Sequence, residues 1–194
     1  MAKRNTRNTR GKIVSAAWKL FYEQGYEDTT VEEIIELSHT SKGSFYHYFD
    51  GKDALLGTLS NLFDDKYEEL TECLTPSMAA MDKLLFLNSE LFGMIENSIS
   101  MDLLARLLST QLITSGERHL LDHNRTYYKL LRKIIAQGQA DGQLSQRSSA
   151  SEMLKLYALA ERALMYDWCL CSGEYSLRQY SETVMPGFLS SFLS

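Results

Sequence analysis

Two helix starts placed close together constrain this chain more than any other feature of it. Thr30 followed by Glu33 is a capping box, which starts a short helix at Val31 and carries it to Leu37, with Ile34 and Leu37 facing inward. Ser41 starts a second helix, and only Ser38, His39 and Thr40 lie between the two. So short a link permits a tight turn, which forces the helices to cross steeply and leaves the second protruding, as in a helix-turn-helix. Phe45 and Phe49, at helical spacing, hold that second helix inward. Lys42, Ser44, Tyr46, His47 and Tyr48 crowd it with hydrogen-bond donors, a surface suited to phosphates and base edges.

The residues around this motif, TTVEEI from Thr29, SKGSFY from Ser41, Phe49, and the F-x-x-K step to Lys52, resemble the N-terminal DNA-binding domain of the TetR family of transcriptional repressors. The resemblance covers roughly the first 60 residues. It implies an all-α chain: an N-terminal three-helix DNA-binding domain (1–51), then a helical effector-binding and dimerisation domain (52–194), about nine helices in all. It also implies a homodimer that sets two reading heads on a palindromic double-stranded DNA operator. By position in the family's motif, Lys42, Gly43, Ser44 and His47 would reach base edges. Thr30, Tyr46, Tyr48 and Lys52 would hold phosphates. An arm carrying Lys3, Arg4 and Arg7 would lie along the DNA or enter its minor groove. The chain departs from the family pattern at Ile35, Ser38, His39, Thr40 and Tyr48, and His39 stands where a turn glycine is usual. A histidine tolerates that left-handed position less comfortably than glycine does.

The charge distribution agrees with a DNA-binding end. The first 22 residues hold Lys3, Arg4, Arg7, Arg10, Lys12 and Lys19 and no acid, so a net charge of −5 conceals a basic end joined to an acidic body. No run approaches the roughly 20 apolar residues of a membrane span, and no secretion signal is legible, so a cytoplasmic protein without a membrane partner is expected. Cys73, Cys169 and Cys171 are expected to remain thiols.

Helical periodicity runs through most of the chain. The first helix is expected from about Thr9 to Gln24, stopped by a left-handed Gly25, with residues 1–9 flexible. A long helix follows from Lys52 to Leu74, then one with Pro76 in its first turn reaching Asn97, and one capped by Ser100. After a break at Ser115-Gly116, a helix is expected from Glu117 to Ala140, its fraying end marked by Gly138 and Gly142. The last two helices, Ala150–Cys171 and Leu177–Leu193 with a kink at Pro186, are suited to completing a four-helix bundle with a second chain.

By the same resemblance a small-molecule effector would bind in the body and act on the reading heads through the helix from Lys52. Its identity is not written in the residues. Candidate lining residues are Phe63, Phe86, Phe92, Met101, Tyr127, Met153, Tyr157 and Trp168, although aromatic and methionine residues at this spacing are more often plain core. No cofactor is implied. His119 and His123, four apart on the expected helix, form a weak metal-binding pair, so a metal- or redox-responsive regulator on the same fold stays open as an alternative. An enzyme or helical scaffold without DNA function is the remaining alternative. It has no glycine-rich phosphate loop or nucleophile elbow to support it.

Overall fold

The computed structural model describes residues 2–114 and 118–193, with side chains from Thr9 onward. The side chains of Lys3, Arg4 and Arg7, and residues Ser115, Gly116 and Glu117, therefore lie outside the described residues. The architecture is all-α: ten α-helices and two 3-10 segments, with no strand among the described residues. They form two compact units, Met1–Leu59 and Ser60–Ser194.

In the first unit, α1 (Ala2–Gln24) begins earlier than expected, since no residue from Ala2 to Arg10 is Gly or Pro and nothing breaks the helix. It ends at Gly25, whose φ of +90° is the left-handed stop expected there. Ile13, Ala17, Trp18 and Phe21 form its buried stripe, and it packs across both α2 (Val31–Leu37) and α3 (Lys42–Tyr48). Ile34, Phe45 and Phe49 complete this core, whereas Leu37, expected to face inward, is 37% exposed.

The long helix expected from Lys52 is broken. α4 (Lys52–Leu56) stops at Gly57-Thr58, and α5 (Leu59–Cys73) starts afresh. The Thr58 hydroxyl and amide both donate to Leu55 O, at 2.6 and 2.9 Å, closing a tighter turn than an α-helix allows. The Trp18 indole N–H donates to the same hydroxyl at 2.8 Å and locks the break from α1.

The second unit is built on α6 (Ala80–Ser98), α7 (Met101–Ile113), α8 (Thr126–Ala140), α9 (Ala150–Leu170) and α10 (Leu177–Phe188). Here α6 lies against α8 and α10, and α9 packs on α7, α8 and α10. Pro76 sits in the turn before α6 rather than in its first helical turn, and the free N–H of Ala80 is taken by the Gln143 side chain at 2.7 Å. The helix expected from Glu117 begins only at Thr126. A 3-10 segment spans His119–Leu121, and Asn124 N–H then donates to the Asp122 carboxylate at 2.8 Å, a local turn that competes with helix.

Gly138 is not a fraying end. A Cβ there would come within 2.5 Å of Ala80 Cβ and 2.9 Å of Leu144, so the glycine lets α8 close on the start of α6. Ser149 and Glu152 form a capping box at the start of α9. α10 continues through Pro186 to Phe188 and ends in a 3-10 segment, Leu189–Phe192, whose last carbonyl accepts from Ser145 N–H at 2.7 Å.

Candidate nucleic-acid interface and body cavity

The start of α2 is closed on both sides. Glu33 N–H donates to Thr30 Oγ1 at 3.2 Å while Glu33 Oε2 accepts from Thr30 N–H at 2.8 Å. The Thr30 N–H and hydroxyl, both donating to Glu33 Oε2, hold the Glu33 carboxyl below the usual carboxylate range. At its other end, His39 N–H donates to Glu36 O at 3.1 Å and Thr40 N–H to Ile35 O at 3.1 Å, the paired bonds of a Schellman motif with His39 at φ +51°. Ser38 and Thr40 share a 2.8 Å hydroxyl bond across the turn. Ser41 then caps α3 by accepting from Ser44 N–H at 3.1 Å.

This geometry leaves Lys42, Gly43, Tyr46 and His47 exposed, with Ser44 and Tyr48 half-buried, while Phe45 anchors α3 beneath them. A Cβ at Gly43 would meet only Ser41 Oγ, at 4.0 Å, so backbone lies open at the tip. Lys42 Nζ is 3.3 Å from Glu32 Oε1 in an ion pair with both side chains about two-thirds exposed, a contact that contributes little and exchanges readily. The acidic face of α2 thus reaches the tip through Glu32, which the motif alone did not reveal. Thr30 is exposed, with its hydroxyl engaged in the capping box.

Lys52 is placed differently from the phosphate contact expected of it. Its ammonium donates to three carbonyls, Tyr26 O at 2.6 Å, Thr29 O at 2.8 Å and Glu27 O at 3.2 Å, and lies 4.3 Å from the Tyr26 ring centroid. An ammonium has three donors, so all are used within the fold. The Tyr26 hydroxyl in turn bonds Asp53, and the group pins the α1–α2 turn to α4.

In the body, Phe63, Tyr67, Tyr127, Glu161, Arg162 and Met165 are among the residues around a cavity of about 30 Å³. Of the eight expected lining residues only Phe63 and Tyr127 reach it. Phe92 and Met153 are core, Tyr157 is buried with its hydroxyl on Leu84 O at 2.8 Å, and Trp168 donates to Tyr175 O at 2.9 Å. Phe86 and Met101 are half-buried elsewhere.

The polar residues around the cavity were not anticipated. Glu161 is 2% exposed and accepts from Tyr127 OH at 2.7 Å, Asn88 Nδ2 at 3.0 Å and Tyr67 OH at 3.5 Å. Burial raises its carboxyl above the usual range, although the Asn88 and Tyr127 donors pull the other way. Arg125 is tied to Asp64 by paired bonds of 2.9 and 3.2 Å and to Ser60 O at 2.9 Å, and Asp64 also accepts from Tyr127 N–H at the start of α8. The available signal was a glutamate inside α9, whose sequence is apolar on almost every side.

The expected His119–His123 face does not form, because those residues lie in a 3-10 segment and the following turn. The His123 ring instead sits 4.6 Å from Tyr128, and no cluster of three metal-binding side chains occurs among the described residues. Burial pushes the Cys169 thiol up to about 11, away from the reactive thiolate.

Two capped helices with a left-handed turn between them and an exposed second helix define a protein of the helix-turn-helix class. Residues 13–59 match the family model described as bacterial regulatory proteins, tetR family. An uncharacterized HTH-type transcriptional regulator of Lactococcus lactis is 43% identical over 58 residues, covering 29% of this chain and 30% of its own length. The chain thus matches about a third of that relative. The transcriptional repressor KstR2 of Rhodococcus jostii is 26% identical over 193 residues, covering 93% of this chain and 91% of the relative. The fold is also that of Thermus thermophilus FadR, a TetR family repressor solved with lauroyl-CoA, at a TM-score of 0.74, 22% identity and 95% coverage of both chains. No described helix is long and apolar enough to cross a membrane.

Proposed function

We propose that the protein is a DNA-binding transcriptional repressor that acts as a homodimer on a palindromic operator and is modulated by a small molecule bound in its body. The observation that carries this reading is the tip of α3, where Lys42 and Gly43 are exposed and Ser44 half-buried on a helix anchored by Phe45. The start of a recognition helix is the part that meets base edges in the major groove. Lys42, Ser44 and His47 are the base readers, Gly43 permits close approach, and Thr30, Tyr46 and Tyr48 meet phosphates. Lys52 supports them from within the fold. Names of relatives along nearly the whole chain, repressors among them, support the direction of regulation.

The dimer uses the outward side of α9 and α10. Leu159, Ala163, Tyr166 and Leu170 run at helical spacing along α9, with Leu159 53% and Leu170 66% exposed. Tyr180, Val184 and Phe188 continue this apolar surface on α10. A second copy meeting it with the same face forms a closed twofold interface. Among the described residues no group of three metal-binding side chains supports metal sensing.

The deciding experiment is selection of binding sequences from random duplex DNA, followed by anisotropy titrations at several salt concentrations. The expected product is a palindrome bound by a dimer, and Lys42→Ala should relax preference at one position per half-site by about 1–3 kcal/mol. Failure to enrich any sequence at low salt, with the protein folded, would rule the reading out.

A further inference from the structure

The tip of α3 carries an ion pair that adds little to the fold. Lys42 Nζ and Glu32 Oε1 meet at 3.3 Å, with their side chains 68% and 70% exposed. The contact sets a hydrogen-bond acceptor beside a donor on the surface that is to meet base edges. Among the acids of α2, Glu33 is engaged with Thr30 and Gln24, and Glu36 stands a helical turn further along. The backbone N–H of Glu32 and the Lys42 ammonium hold the Glu32 carboxyl below the usual carboxylate range, so at neutral pH it only accepts. Lys42 gives Glu32 one of the three donors of an ammonium and keeps two. A carboxylate accepts at about four lone-pair sites, so Glu32 can hold Lys42 and take a further N–H.

A G·C pair offers the complement of this arrangement. Its major-groove edge presents guanine N7 and O6, both acceptors, and then the cytosine N4 amino group, a donor. O6 and N4 are bonded to each other and lie about 2.9 Å apart. A donor and an acceptor 3.3 Å apart match that step: the ammonium meets N7 and O6 while the carboxylate accepts from N4. An A·T or C·G pair reverses the central order, placing an amino group before the ammonium and an oxygen before the carboxylate. T·A keeps the central order but puts a methyl group where N7 stood and an acceptor nitrogen beside the carboxylate.

We propose that Lys42 and Glu32 together read one G·C base pair in each operator half-site, with guanine facing Lys42 and cytosine facing Glu32. Glu32 is then a specificity-determining residue in its own right. It also selects by repulsion, since a carboxylate at the tip opposes the phosphates that draw a basic surface onto any DNA. This inference rests on the reading that the α3 tip enters the major groove, and it names the base pair met there.

The test uses the full chain and a duplex enriched from random DNA, with each base pair replaced in turn and affinity read by anisotropy. For the unaltered protein, one G·C pair per half-site should be preferred about tenfold or more over A·T and C·G, with T·A between. Glu32→Ala should bring that preference within about threefold, leave the other positions as they were, and tighten binding to an unrelated duplex. Lys42→Ala should lose preference at the same position, and the double variant should be no less selective there than Lys42→Ala, because one pair does the reading. Glu36→Ala removes the same charge from the same helix, and should strengthen binding to all duplexes alike without changing the preference. An unchanged preference in Glu32→Ala would overturn the proposal. So would a Lys42-dependent position that is not G·C, or a loss of selectivity spread evenly over the half-site. Enrichment of no sequence would sink the DNA reading itself and this inference with it. A palindrome whose selection ignores Glu32 would leave that reading intact and remove only this inference.

Discussion

The two units are held by polar side chains that work at different distances along the chain. In the N-terminal unit the groups that shape the reading head are neighbours: Thr30 caps Glu33, and Ser41 caps Ser44, each three residues away. In the body, the bonds around the cavity join residues 61, 73 and 94 positions apart: Arg125 to Asp64, Asn88 to Glu161 and Tyr67 to Glu161. Local bonds define a surface shape whatever lies beyond them, which suits a motif presented outward. Distant bonds converge only when the whole bundle is assembled, which suits a cavity whose polar groups must be placed together.

The comparison predicts that the largest loss comes from the body. Asp64→Ala would leave the Arg125 guanidinium, only 9% exposed, without its carboxylate, and would remove an acceptor from the start of α8. Breaking such a pair costs about 3–5 kcal/mol because a charge stays buried and unpaired. Urea unfolding followed by circular dichroism measures it. A loss below about 1 kcal/mol would mean that the body does not depend on this junction.

Lys52 tests the other side. Its three bonds to Tyr26, Glu27 and Thr29 carbonyls make it a long-range polar clamp in the reading head, 23 to 26 residues from its acceptors. Lys52→Ala should lower stability by about 2 kcal/mol, as expected for charge-assisted bonds. The slope of log affinity against log salt should stay the same. A slope shallower by about one unit with stability unchanged would return Lys52 to the DNA backbone.

The same distinction explains what could be read from the residues alone. The caps at Thr30, Ser41 and Ser100, the stop at Gly25 and the left-handed His39 all depend on side chains and backbone within a few positions, and the structure has each of them. The break after Leu56 was hidden because the hydroxyl that stabilises it is fixed by Trp18, 40 residues earlier. Pro76 looked suited to a first helical turn, yet α6 takes its N-terminal acceptor from Gln143, 63 residues later. The cavity was misread for a related reason. Aromatic and methionine side chains mark apolar faces but not which face meets a void, whereas the charged Glu161 in the middle of α9 carried more information than any of them.

His39 gives the smallest effect and the most local one. At φ +51° an L side chain costs about 1–2 kcal/mol relative to glycine, while glycine gives up about 0.5–1 kcal/mol through the freedom it has when unfolded. His39 is exposed, so its side chain returns little packing. His39→Gly should therefore stabilise the protein by about 0.5–1 kcal/mol, seen as a higher urea midpoint. The backbone bonds of the turn, His39 N–H to Glu36 O and Thr40 N–H to Ile35 O, do not involve the imidazole, so the tip of α3 should keep its orientation and the selected operator its sequence. Destabilisation would show that the imidazole makes a favourable interaction that outweighs its backbone strain. An altered operator at unchanged stability would place His39 itself among the groups that touch DNA.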